Sequence, residues 1–160
     1  MNQLILGIIL SLLPVIELRG GLPFALNYAV KNSFPVWLAF STIIIANIVV
    51  IFLLFLFLDF LHSKFLALRI YRRTFNFFLE RARKKARKVE RNMEIYGFLA
   101  LTLFVAVPLP ITGAWTGTLI AWILGLDRKK SILSISLGVL IAGILVLLAY
   151  FGIVNLVGLL

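Results

Sequence analysis

Leu13-Pro14-Val15-Ile16-Glu17-Leu18-Arg19-Gly20-Gly21-Leu22-Pro23 interrupts a run that is otherwise largely apolar from Leu4 to Val30. Two prolines, two glycines, a carboxylate and a guanidinium fall together here. Proline removes a helical hydrogen bond, and glycine lets the backbone leave helical geometry. A charge pair away from water must be compensated or must line a cavity. The stretch reads as a helix break over residues 14–21, shaped by Pro14, Gly20, Gly21 and Pro23.

The composition says where that break lies. Of the 160 residues, 62% are hydrophobic and only 14% are charged, against about 45–50% and ~25% in soluble chains. The chain reads as an all-α integral membrane protein, with the break at membrane depth. The net charge of +10 comes mostly from two basic blocks beside long apolar segments. Cytoplasmic orientation and anionic lipid account for such blocks, so no nucleic-acid partner is expected. The absence of cysteine excludes disulfides, thiol chemistry and Cys-based metal sites. A single histidine, His62, reads as an interfacial residue. With no His-rich metal set and no Ser-His-Asp set, neither a metal, a cofactor nor an enzyme is expected. The first residues lack a basic n-region and a small-x-small cleavage site, and they read as part of the mature chain.

Residues 1–33 form a first unit. A helix over 2–13 would be ~18 Å long at 1.5 Å per residue, too short for a ~30 Å hydrocarbon core. A second short helix follows over 22–31, with Pro23 near its start. Residues 35–62 form a clean span, anchored by Trp37 at one interface and by Asp59, His62 and Lys64 at the other. Asn47 lies near its middle, placed either for a helix–helix hydrogen bond or for substrate contact. Residues 64–94 change character. Phe75, Leu79, Ala82, Ala86, Val89 and Met93 make a helical stripe, with basic residues on the other faces. This helix, over 74–94, reads as a solvated cytoplasmic linker, as an amphipathic helix on anionic lipid, or as a short coiled coil.

The second half repeats the order. Residues 95–126 hold two short apolar helices around Pro108-Leu109-Pro110-Ile111-Thr112-Gly113-Ala114-Trp115-Thr116-Gly117, a break shaped by Pro108, Pro110, Gly113 and Gly117. A basic turn at 127–130, a span over 131–152 and a tail at 153–160 complete the chain. If 95–126 crossed the membrane once, the basic segments 64–94 and 127–130 would lie on opposite sides. A re-entrant hairpin puts both in the cytoplasm and satisfies the positive-inside rule. The expected fold is therefore two inverted repeats. Each is a re-entrant broken-helix hairpin followed by a transmembrane helix, and the basic helix joins them in one membrane domain. This makes a multi-pass plasma-membrane protein with both termini outside. Two spans and two hairpins enclose little, so a homodimer is expected.

PVIELRGGLP at 14–23 and PLPITGAWTG at 108–117 resemble the hallmark motifs of the small multidrug export protein family, in the right order and over most of the chain. That resemblance implies a membrane exporter. The family is distantly similar to the DedA, or SNARE-associated Golgi protein, superfamily. Its members are thought to carry facing re-entrant hairpins and are associated with lipid scrambling, polyprenyl-phosphate recycling and proton-coupled transport. This sequence departs in one respect: its second motif has no charge where DedA-like loops usually hold an arginine. A phosphate-binding arginine carries over only to Arg19.

The residues themselves allow two readings of the first break. Glu17 and Arg19 either pin a hairpin tip as structural charges, or serve as a proton-titrating carboxylate and an anion-binding fork. Thr112 and Thr116 could supply hydroxyls opposite them. Helix N-termini near Leu22 and Ala114 would favour anions at the centre. Trp115 reads as a packing anchor. The expected function is a proton-coupled transporter of a small or amphiphilic, anionic substrate. The alternatives are a DedA-like lipid scramblase or flippase, and a non-transporting scaffold.

Overall fold

The computed structural model describes residues 3–65, 92–107, 112–156 and 158. Six helices lie among them: α1 Gln3–Leu12, α2 Glu17–Lys31, α3 Val36–Phe65, α4 Asn92–Ala106, α5 Ala114–Ile123 and α6 Arg128–Leu156. The basic helix expected over 74–94 lies outside the described residues except for its last few positions, where Asn92–Glu94 already belong to α4.

Among the described residues only α3 and α6 are long and apolar enough to cross a membrane, over Val36–Leu61 and Arg128–Leu156. Most of each apolar stretch lies outside the core. Phe52, Leu53, Leu56 and Phe57 on α3 and Leu133, Leu137 and Leu148 on α6 are all exposed. Patches of this kind are rare on water-facing monomers and suit lipid surroundings. The tail expected at 153–160 is partly absorbed, because α6 continues to Leu156.

The first break is shorter than expected. Leu13–Ile16 form a single turn, closed by the Glu17 N–H donating to the Leu13 carbonyl at 2.9 Å, and the helix resumes at Glu17. Pro14 stays in the break, whereas Gly20, Gly21 and Pro23 sit inside α2. The glycines serve approach rather than unwinding. A Cβ on Gly21 would overlap the Gly7 carbonyl oxygen and lie 2.5 Å from Ser11 Cβ, so α1 and α2 meet nearly backbone to backbone. Such close contact through small residues is how helices associate where no hydrophobic effect drives them together. At the far end of the pair, the Asn27 amide donates to Gln3 Oε1 at 3.2 Å. Gln3 beside Asn27 and Ser11 beside Gly21 make α1 and α2 an antiparallel hairpin. Leu22, Ala25 and Leu26 are fully buried and carry its inner face into the core.

The second break is also shorter. α5 begins at Ala114, so Gly113 remains in the break and Gly117 is helical. Pro108 and Pro110 lie outside the described residues. Contacts with α6 give the direction of each arm. Ser134 Oγ donates to the Phe98 carbonyl at 2.7 Å and lies 2.9 Å from Thr102 Oγ1. One turn further along both helices, Gly138 faces Val105. α4 thus runs in the same sense as α6. α5 returns, placing Gly117 against Val105 and Ile135 and ending at Ile123. Gly125 adopts φ +64, and the Leu126 N–H reaches back to the Ala121 carbonyl at 3.0 Å, an ordinary glycine helix stop. Asp127 then caps α6 by accepting from the Lys130 N–H at 2.9 Å.

The two hairpins open toward opposite ends of the bundle. The first opens beside the start of α3. The second opens beside the end of α3, where Asp59 accepts from Trp122 Nε1 at 2.9 Å and from Arg128 Nη1 at 2.7 Å. Packing follows one pattern in both halves: α1, α2 and α3 all touch one another, and so do α4, α5 and α6. Across the halves α2 packs on α6, α5 on α3, and α3 on α6. Exchanging the halves swaps the first two of these pairings and maps the third onto itself.

Candidate functional site

The closed ends of the hairpins meet, and the polar groups of both breaks are there. Glu17 opens α2 in the left-handed region, φ +48. For a residue with a β-carbon this geometry costs about 1–3 kcal/mol and persists only where the surroundings hold it. What holds it is the second hairpin. The Trp115 backbone N–H donates to Glu17 Oε1 at 3.1 Å, seating the carboxylate on the first turn of α5. Glu17 is only 7% exposed there. A Cβ on Gly113 would coincide with the Glu17 carboxylate, so this position must be glycine for the charge to reach the helix end.

Arg19 reaches the other side of the same break. Its Nη2 donates to Thr112 Oγ1 at 2.8 Å and to the Val107 carbonyl at 3.1 Å. Thr112 Oγ1 also donates to that carbonyl, at 2.8 Å. Val107 immediately follows α4, so its carbonyl is one of the groups a helix end leaves unpaired. Each charge therefore complements the dipole of the helix end it touches: the anion at the start of α5, the cation at the end of α4. Among the described residues Glu17 and Arg19 form no contact ion pair with each other; the ion pair found is Asp59–Arg128. Trp115 links back to the first hairpin, its indole N–H donating to the Leu12 carbonyl at the end of α1 at 3.2 Å. The indole expected as a packing anchor is thus also a hydrogen-bonding anchor.

Of the residues singled out from sequence, Glu17, Arg19, Thr112 and Gly113 come together at this junction, and Pro14 stays exposed in the turn that leads to it. Thr116, on the first turn of α5, is half-buried and stands outside these bonds. Asn47 is buried in the core of α3, and its amide donates to the Ile43 carbonyl of its own helix at 3.0 Å. The helix–helix bond that is one of its two readings is not made among the described residues; Thr102 and Ser134 make such a bond elsewhere, between α4 and α6. Sequence reading expected an anion at the helix N-terminus near Ala114, without naming Glu17 as that anion, and missed the Val107 carbonyl and the Asp59–Trp122–Arg128 cluster. Among the described residues no group of three or more acidic or histidine side chains could hold a metal.

No curated protein and no solved structure matches the chain. The family model described as "Putative small multi-drug export protein" matches residues 17–145, from the first charge of the break into the second half of α6. Two long apolar helices, two broken hairpins and a match over most of the length place the chain in the small multi-drug export protein family.

Proposed function

We propose that this protein is a proton-coupled membrane transporter whose substrate passes between the two hairpin tips, with Glu17 as the proton-carrying group. The hairpins are taken to enter the bilayer from opposite faces, as inverted re-entrant repeats. The interchangeable packing of the halves supports this, as do tips that meet while the open ends point apart. The Asp59–Arg128 pair supports a shared cytoplasmic side for the basic segments 64–94 and 127–130, because it joins the end of α3 to the start of α6. Both termini then lie outside the plasma membrane.

One observation carries the reading: the charges at the junction, Glu17 and Arg19, make their hydrogen bonds to the opposite hairpin and none to each other. A carboxylate on a helix N-terminus is a charge-assisted contact of about 1.5–3 kcal/mol. Protonating Glu17 removes most of that attraction and frees the start of α5. The freed N–H groups and the Arg19 fork then suit an anionic group on the substrate. At ~1.4 kcal/mol per tenfold change, a contact of this size moves a two-state equilibrium by roughly 10- to 100-fold. That is enough to gate a path without unfolding it. No step calls for bond-making or a cofactor, so the reading is of a transporter and not of an enzyme.

The test is transport in proteoliposomes, with a panel of amphiphilic drugs outside and a pH-sensitive dye inside. Wild-type protein should couple entry of at least one anionic compound to a change in luminal pH. Glu17→Gln should abolish that coupling while the protein stays folded. Normal coupled uptake by the mutant would end the proposal. A second reading, a DedA-like flippase of lipid phosphates, is favoured by Arg19, which is only partly buried at the tip. It predicts that Arg19→Ala weakens binding of a polyprenyl phosphate and leaves a neutral lipid unaffected.

A further inference from the structure

We propose that two copies of this chain pair through the turn of the first hairpin, Leu13–Ile16, placed across a two-fold axis. The inference rests on the membrane arrangement proposed above, but not on proton coupling. α1 is ten residues long, so the turn lies ~15 Å below the open end of its hairpin. That is about the middle of a ~30 Å core, where it meets the hairpin entering from the other end. Yet the turn is not covered: Val15 is 89% exposed and Leu13 44%.

Exposed apolar side chains at that depth are ordinary, but exposed irregular backbone is not. The turn contains one backbone bond across its length, Glu17 N–H to the Leu13 carbonyl. Among the described residues no partner reaches the N–H of Val15 or Ile16, or the carbonyl of Pro14 or Val15. Lipid tails offer nothing to such groups, and each would cost several kcal/mol facing them. Non-helical backbone at this level persists only against protein or water. The helices do not serve within one copy, because their backbone groups are already paired and no described side chain reaches these groups. A second copy of the same turn can, because it brings free donors and free acceptors together with an apolar rim of Leu12, Leu13 and Val15. Isologous pairing matches each donor of one copy with an acceptor of the other. The absence of native cysteine makes the test simple.

Val15→Cys, reconstituted in liposomes, should form a disulfide-linked dimer under mild oxidation, taking most of the protein. Leu56→Cys, on the exposed face of α3, should stay monomeric under the same conditions. Leu13→Cys provides a second position if Val15→Cys folds poorly. Reaction of the Val15→Cys thiol with a water-soluble maleimide, without cross-linking, would mean that the turn lines water and would overturn the proposal. A monomer inert to both reagents would overturn it equally. Measuring drug-coupled pH change on the same vesicles separates the two claims. Lost pairing with intact transport refutes only the interface, and pairing without transport refutes only the proposed function.

Discussion

A carboxylate on the first turn of α5, and a guanidinium that joins Thr112 on the Val107 carbonyl just beyond α4, complement the two ends of a broken helix. The role of Gly113 follows from this. Gly113→Ala puts a methyl group where the Glu17 carboxylate sits, so it should lower unfolding free energy by about 1.5–3 kcal/mol, the value of the displaced contact. It should also reproduce the transport phenotype of Glu17→Gln. Thermal unfolding in detergent beside the vesicle assay checks both, and a fully active, equally stable alanine variant would show that the seat does not matter. Trp115→Phe keeps an aromatic ring but loses the bond to the Leu12 carbonyl, a loss that should cost about 0.5–1.5 kcal/mol, read in the same unfolding experiment.

At the scale of elements, the helices pack through small residues and a few hydroxyls. Thr102→Val deletes the bond to Ser134 between α4 and α6. Interhelical bonds in membranes average ~0.6 kcal/mol and reach ~1.7, so the loss should fall in that range by unfolding titration. Gly21→Ala is expected to do more harm, about 1–3 kcal/mol as for overpacking, because the added methyl meets the Gly7 carbonyl and Ser11, and backbone yields poorly. This scale also shows what the amino-acid sequence makes legible. Prolines and glycines in an apolar run locate both breaks, and hydropathy locates both spans. The breaks are mislocated at their edges because glycine carries two meanings. Gly113 permits a break, while Gly20, Gly21 and Gly117 sit in helices, and nothing local in the sequence distinguishes these uses. Asn47 shows the same ambiguity: its amide finds a partner one turn back in its own helix, an option no residue pattern reveals. The capping of one hairpin by the charges of the other is a tertiary fact, 98 residues apart for Glu17 and Trp115, and periodicity cannot reach it.

At the scale of the whole molecule, two hairpins open toward opposite ends and touch at their tips. The Asp59–Arg128 pair, nearly half-exposed on both sides, contributes less than about 1 kcal/mol, so its value is as a marker of which ends lie together. The most direct measurement is side-specific labelling in intact membranes of single cysteines replacing Lys31, Lys64 and Lys129, with an impermeant maleimide. Lys64→Cys and Lys129→Cys should react from the cytoplasmic side and Lys31→Cys from the outside. Labelling of positions 64 and 129 from opposite sides would mean that α4 and α5 cross the membrane as one kinked span, and the facing-hairpin arrangement would be wrong.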